Sequence, residues 1–268
     1  MILNGNDIKK LIDEVKILEN YDIKNINSSS CDVSISDTIL TLKSSGDIVD
    51  LSNFNDVEDM YMQIDISNGY ILKSNDCVLV SLKEHINLPN NLCANIRPRT
   101  SFSRLGLVIN FQHINAGYKG ILNILLHNSS PNDYKIYPNM RIGQIVFDTL
   151  SSGITDNLLY FNEKSPTYYD EKGNLGSKIY TDFIGKVFRH YKGNYYFVED
   201  ISVHSETKEY MVVYKTLYDH KDSNLWVRPA KMFFEKINKT RTDNITGQSH
   251  RFELVSDLSK DFNDKKWR

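Results

Sequence analysis

The sequence predicts a mainly β protein built from two strand-rich units. Three observations carry that expectation. Short apolar runs, alternating or bounded by turn residues, recur along most of the chain. Helical spacing of apolar residues is confined to the N-terminus. A polar stretch broken by Pro166, Gly173 and Gly176 separates two sets of such runs. At 268 residues, 40% of them hydrophobic, the chain is long enough for one large domain or two smaller ones with ordinary cores.

Asn4 suits a helix N-cap, and Asp7 falls in the first turn, where a carboxylate complements the helix dipole. Ile8, Leu11, Ile12 and Val15 then follow at helical spacing and predict one short amphipathic helix. "CDVSISDTILTL" alternates, with Val33, Ile35 and Ile39 on one face of a half-buried strand. "GYILKSNDCVLVSLKEHINLP" reads as two strands around a turn at Ser74-Asn75-Asp76. "ILNILLHN" and "RIGQIVFDTL" are two more strands, separated by the turn-rich "SSPNDYKIYPNM". Many short strands and few helices predict a barrel or sandwich. The segment 161–183 is expected to be a linker or mobile lid. A small strand-rich unit follows over 184–240, and 241–268 is expected to be a charged tail.

Composition narrows the function. A formal net charge of −2 argues against a nucleic-acid coat, which is ordinarily basic. No apolar run approaches the roughly 18 residues that cross a bilayer. The N-terminus lacks a basic-then-apolar export pattern. Cys31, Cys77 and Cys93 show no CxxC spacing, so free thiols in a reducing cytoplasm are expected. His113, His127, His190 and His204 show no HxxxH spacing, so structural histidines are expected and no protein-bound metal. P-loop, GxSxG and dinucleotide fingerprints are all missing.

Two segments carry chemistry. "RPRTSFSRLGL" places Arg97, Arg99, Thr100, Ser101, Ser103 and Arg104 within eight residues. Guanidinium forks and hydroxyls satisfy phosphate oxygens; a solvated arginine-rich turn is the plainer alternative. "NAGYKG" reads as a glycine-flanked hairpin tip, since glycine permits positive φ and close backbone approach to a ligand. Tyr118 within it suits stacking on a sugar or base, or simple exposure.

Taken in order, these segments resemble the dCTP deaminase/dUTPase superfamily from residue 1 to about 167. "MILNGNDIKK" looks like the opening helix of dCTP deaminases, and "INSSSCDVSIS" is similar to their "QPSSVDLRLG". The stretch ending "RPRTSFSRLGL" resembles the one ending in the phosphate loop "GRSSLARLGL". "INAGYKGILNILLHN" is similar to "IDPGWEGHITLELSN", and "IYPNMRIGQIVF" to "LYPGMKIGQLVF". The resemblance implies a distorted β-barrel or jelly roll, assembled as a homotrimer with sites between subunits. It implies a small-molecule nucleotide ligand, with Mg²⁺ accompanying its phosphates and no intrinsic cofactor. By position it implies phosphate binding by Arg99, Thr100, Ser101 and Arg104, and nucleoside binding by Asn115, Tyr118 and Gln144. The tail "YFNEKSPT" is loosely similar to the family's C-terminal lid.

The departures decide the expected function. The column of the deaminase glutamate holds Leu125, and the column of the dUTPase aspartate holds Asn115. Neither side chain accepts a proton from water near neutral pH. No Asp or Glu occurs between Ile114 and Asn128. The expectation is a nucleotide-binding pseudoenzyme that senses or sequesters a nucleotide, as a sponge does. An active deaminase or dUTPase with a relocated base, such as Asp133 or Asp148, is the alternative. A trimeric adaptor is the third reading.

The second unit resembles a small bacterial domain family of unknown function through "FRHYKGNYYFV", "HSET", "VVYKTLY" and "WVRPAKMFFE". That implies a compact SH3-like β-barrel, with its protein partner unknown. Trp226, Arg228, Tyr195 and His204 suit a ligand groove, or Trp226 fills the core. The domain organisation is therefore 1–160, a segment 161–183, 184–240 and 241–268.

Overall fold

A computed structural model describes residues 1–44, 46, 48–49, 51, 60–155, 158–160, 171–172, 177 and 182–255. The chain divides into two compact units, Met1–Lys43 with Tyr61–Gly176, and Ser44–Met60 with Ser177–Arg268.

The first unit opens with α1 (Gly5–Val15), capped as its sequence predicts. The Asn4 side chain accepts from the Asn6 and Asp7 backbone N–H groups and donates to the Asp7 carboxylate at 2.7 Å. Ile8 and Ile12 are buried, whereas Val15 is 45% exposed. The helix stops beside Val15 because Lys16 adopts the left-handed conformation that ends helices. Strands follow as β1 (Leu18–Glu19), β2 (Cys31–Leu42), β3 (Tyr61–Asp65), β4 (Tyr70–Leu72), β5 (Cys77–Asn87) and β6 (Leu92–Pro98). After the one-turn helix α2 (Thr100–Ser103) come β7 (Leu107–Ile109), β8 (Gln112–Ile114), β9 (Lys119–Asn128), β10 (Tyr134–Ile136), β11 (Arg141–Thr149) and β12 (Glu171–Lys172).

One sheet runs β12-β9-β5-β2-β11-β6-β8, with β1, β3 and β7 added on β5, β2 and β9. Its strands pair antiparallel except β12, which lies parallel to Gly120–Ile121 of β9. The sheet encloses one apolar core that includes Ile8 and Ile12 of α1, Val33, Ile35 and Ile39 of β2, and Ile145 and Phe147 of β11. Beyond the turn at Asn75, β4 leaves β5 and pairs with β10 instead.

Two local expectations change. The start of β2 is buried on both faces, not one, because Asp32 and Ser34 find polar partners on the second face. "NAGYKG" is not a hairpin tip, since β8 pairs with β6 whereas β9 pairs with β5 and β7. It is a tight turn that carries the chain from one part of the sheet to another.

The pairing of β2 with β5 breaks between Ile35 and Ile39, and that of β5 with β9 breaks between Ser81 and His85. Such breaks leave ladder groups unpaired. Glu84, only 1% exposed, supplies one replacement by accepting the Ser34 backbone N–H at 2.9 Å.

The second unit contains β13 (Val187–His190), β14 (Tyr195–Val203), β15 (Tyr210–Thr216), β16 (Leu225–Pro229), α3 (Ala230–Phe233) and β17 (Phe252–Leu254). They form an antiparallel sheet, β16-β15-β14-β13-β17. Phe233 stacks on Phe252 at 3.9 Å, and Phe188 and Phe234 pack edge-on beside them. Residues 241–255 are therefore not a tail. Phe252 completes the aromatic core, and β17 pairs with β13. The polar sequence of 241–250 misleads because its side chains satisfy one another. Gln248 donates to the carbonyls of Arg189, His250 and Arg251, and Asn244 donates to Gln248.

Two pH effects follow. Burial raises the Glu84 carboxyl above its ordinary value near 4.5, with the Ser34 N–H opposing. The folded chain then holds that proton more tightly than the unfolded chain. Stability from this site is greatest below pH 4.5 and falls as pH rises through the raised value. Glu84→Gln keeps an acceptor for Ser34 and should flatten this part of the pH–stability curve; an unchanged slope in denaturant titrations would refute it. Burial, with Arg251, Arg228 and Lys192 nearby, pushes His190 down to about 4. The second unit should lose stability as pH falls from about 6.5 through 4. His190→Asn should remove that loss, measured by tryptophan fluorescence melts between pH 7 and pH 4.

Candidate functional site

The segment after β6 is a rigid platform. Phe102 is buried beneath it, while Thr100, Ser101, Ser103 and Arg104 face solvent. Gly106, at φ +77°, lets the chain turn back, and a Cβ there would sit 3.0 Å from the Ser130 Cβ. The Gly106 carbonyl accepts from both the backbone N–H and the hydroxyl of Ser129, and the Leu105 carbonyl accepts from the Tyr134 hydroxyl.

Arg99 is not free as its sequence context suggests. Its Nε lies 3.4 Å from Asp32 Oδ2, and its Nη1 donates to the Arg141 carbonyl at 3.2 Å. Arg141 Nη1 reaches the same Asp32 oxygen at 3.1 Å, and Asn27 donates to the other carboxylate oxygen at 3.0 Å. Asp32 is 4% exposed, so one buried carboxylate is shared by two arginines. Gln144 stands directly across from Asp32 on β2 and from Arg97 on β6. Its side-chain oxygen accepts the Ser30 hydroxyl at 3.1 Å. Close packing is possible here because Gly143 has no Cβ, which would meet the Arg97 carbonyl at 3.1 Å. Arg99, Thr100, Ser101, Arg104 and Gln144 thus belong to one end of the sheet.

Asn115 and Tyr118 belong to the other end. Their turn is fixed by backbone bonds between Gly117 and Leu88 and between Leu88 and Tyr118, ahead of β6. The phosphate-loop residues follow the far end of β6 and adjoin the far end of β9, where Leu107 pairs with Asn128. The strand β9 runs ten residues from Lys119 to Asn128, roughly 30 Å at 3.3 Å per residue. A single chain therefore does not bring the two groups together. Tyr118 is 4% exposed rather than open, with its ring 5.6 Å from that of Tyr160. Tyr160 also donates its N–H to the Ala116 carbonyl, so the chain leaving the barrel docks on this turn. Residues 161–167 of the lid-like tail lie outside the described residues.

Leu125 is half-buried on β9 opposite Leu79, and its N–H is held by the Asn110 side chain at 2.9 Å. Asn115 is exposed. The two acids named as replacements lie in different places: Asp133 sits in a turn, whereas Asp148 pairs with Cys93 on β6, next to the Ala94–Ile114 pair that precedes Asn115. Asp133 accepts the Ser74 N–H at 2.9 Å in a turn. Asp148 lies four residues along β11 from Gln144 and accepts from Asn95 at 3.4 Å. Among the described residues, no three His, Cys, Asp or Glu side chains gather as a metal site. Burial pushes the Cys31 thiol up to about 12, with Glu84 and Asp32 adding to it, which suits a packing role.

The second unit separates its candidates. Trp226 and Arg228 share one face of β16, and Trp226 packs edge-on against His220 at 5.0 Å. Tyr195 pairs across from Arg189, on the sheet face opposite Tyr196, which lies in the aromatic core. His204 caps the β14–β15 turn by accepting the Thr207 N–H.

Residues 2–150 match the family model described as dCTP deaminase-like. A relative named dCTP deaminase, dUMP-forming, from Nanoarchaeum equitans is 30% identical over 202 residues, 69% of this chain and all of that protein. The chain belongs to the dCTP deaminase-like family. Among solved structures it is similar to the 2'-deoxycytidine 5'-triphosphate deaminase of Agrobacterium tumefaciens, at 21% identity and a TM-score of 0.48, covering 62% of this chain and 54% of that one. It is also similar to the dUTPase of Staphylococcus bacteriophage 80alpha, at 19% identity and a TM-score of 0.29, covering 33% and 75%. Residues 186–254 match the model of a protein family of unknown function, DUF1653.

Sequence reasoning missed Asp32, Asn27 and Arg141. The signal was present in β2, where a charged residue interrupts an otherwise small and apolar run, "SCDVSI". Asp32→Ala should leave two arginines without their carboxylate. A loss of about 1–3 kcal/mol is expected, with Asp32→Asn milder. Unchanged chemical denaturation midpoints for both variants would show that the arginines do not need it.

Proposed function

We propose that this protein binds a nucleotide between copies of itself and does not carry out its family's reaction. The observation that carries this is the pair Leu125 and Asn115 in the family's two base positions, neither able to accept a proton from water. Arg104 is exposed at the end of α2 and presents its guanidinium to phosphate. Thr100 and Ser101 add hydroxyl donors, and Arg99 adds a fixed charge oriented by Asp32. Tyr118 forms the floor for sugar or base with Asn115 beside it, and Gln144, expected as a nucleoside contact, lies instead beside Asp32 and Arg97 at the Arg99 end, where it meets the nucleoside of a site shared with a neighbouring copy. Because these groups sit at opposite ends of one chain, a homotrimer supplies the missing half of each site from a neighbour. Mg²⁺ arrives with the phosphates, since Asp32 is already occupied by Asn27 and two arginines. Such a protein senses a nucleotide or sequesters it.

A second reading has one finding in its favour. The relatives are named dCTP deaminases that form dUMP. On that reading a carboxylate outside the family's two positions, contributed from another copy or another segment, activates water.

Calorimetry with dCTP, dUTP and a panel of other nucleotides, alongside ammonia and pyrophosphate assays at near-stoichiometric protein, tests both. Binding without product above a buffer blank is the expected result. Arg104→Ala should weaken affinity about 10- to 150-fold, the equivalent of losing one charge-assisted bond. Tyr118→Ala should cost about 1–3 kcal/mol of binding if the ring stacks on a base, and Gln144→Ala less. Multiple turnover supports the second reading. Absence of binding by any nucleotide below millimolar leaves an adaptor role in its place.

A further inference from the structure

The breaks in β2 and β5 fall side by side, and the sheet opens where they meet. Two hollows lie there, each of about 340 Å³. Both are lined by Lys83 and Asn139, and Lys83 donates to the Asn139 side chain at 2.9 Å. They are two halves of one groove divided by that hydrogen bond. Together they reach the size of sites that hold small metabolites. Register breaks of this kind commonly re-aim side chains at a site, and residues 36–38 and 82–84 of the breaks are themselves the walls.

The halves differ in chemistry. The first presents Lys24, Lys83 and Arg141, with Asn20 and Asn25 beside them. These three cations outnumber its two acids, Asp22 and Glu84. Asp22 already accepts the Lys24 backbone N–H, and Glu84 is buried and accepts from Ser34. Arg141 brings charge that Asp32 only partly neutralises, because Asp32 also serves Arg99. The second half is walled by Ile35, Leu82, Ile121 and Pro138, with the exposed carboxylate of Asp37 at its edge. A cationic end suits phosphate. An apolar wall with one carboxylate suits a sugar, whose hydroxyls donate to the acid.

We infer that this groove is a second ligand site, distinct from the platform of Arg104, and that it takes a phosphate ester of a sugar or nucleoside. Phosphate occupies the half with Lys24, Lys83 and Arg141, and the sugar lies against Ile121 and Pro138 with a hydroxyl on Asp37.

Calorimetry on the full chain with ribose 5-phosphate, uridine 5'-monophosphate and inorganic phosphate tests this. Lys83 is exposed, so Lys83→Ala should fold normally and weaken both esters about tenfold or more. Asp37→Asn should weaken both esters and leave inorganic phosphate unchanged. Arg104→Ala should leave ribose 5-phosphate binding intact. Tighter binding of the uridine ester assigns the groove to nucleotides, and tighter binding of the ribose ester assigns it to sugar phosphates. The proposal is overturned if neither ester binds at millimolar concentration. It is also overturned if Lys83→Ala binds both esters as the native chain does. Loss of binding in Arg104→Ala alone would place the ligand on the platform and spare the reading made of that platform.

Discussion

One buried carboxylate organises this protein's candidate site. Asp32 sits on β2 with almost no solvent contact, yet it faces Arg99 from the platform after β6 and Arg141 from β11. Burying a lone charge is costly, and a paired charge is tolerated only when its lone pairs are satisfied. Asn27 completes that satisfaction from the segment before β2. Three separate stretches of sequence, around residues 27–32, 99 and 141, therefore converge on one group. The neighbouring row of Arg97, Gln144 and Asp32 across three strands depends on the same register. A slip of one residue would turn Asp32 into the apolar core and Val33 out of it.

The barrel's length sets a second constraint. The platform and the Tyr118 turn are each well fixed, but they are fixed at opposite ends of β6 and β9. The ten residues of β9 keep that separation among the described residues. A ligand that touches both groups must touch two chains. Tyr160 and β12, which return to the turn and to the start of β9, show where the chain beyond the barrel approaches the Tyr118 end.

Much of this was legible in the sequence. Asn4 and the spacing of Ile8 and Ile12 marked the helix, alternation marked β2, and apolar runs set off by a turn-rich segment marked β9 and β11, because those signals are local. Arginines and hydroxyls gathered within residues 97–104 marked this segment, while Phe102, its buried anchor, carried no signal of its own. What could not be read was pairing. "NAGYKG" has the composition of a hairpin tip, but its flanking strands take other partners, which only the whole sheet decides. The polar run 241–250 looked like a tail because its cohesion lies in side-chain amides such as Gln248 and Asn244, which carry no hydrophobic period. No local pattern marks Asp32 and Glu84, since Arg99, Arg141 and Ser34 lie 50 or more residues from the acids they meet.

We propose that the site is shared between copies of the chain. Static light scattering of the purified protein, at micromolar concentration and with nucleotide bound, tests it most directly. A mass of three chains is the predicted result. A single-chain mass that persists while nucleotide remains bound would contradict it, because one chain holds its phosphate and nucleoside groups at opposite ends.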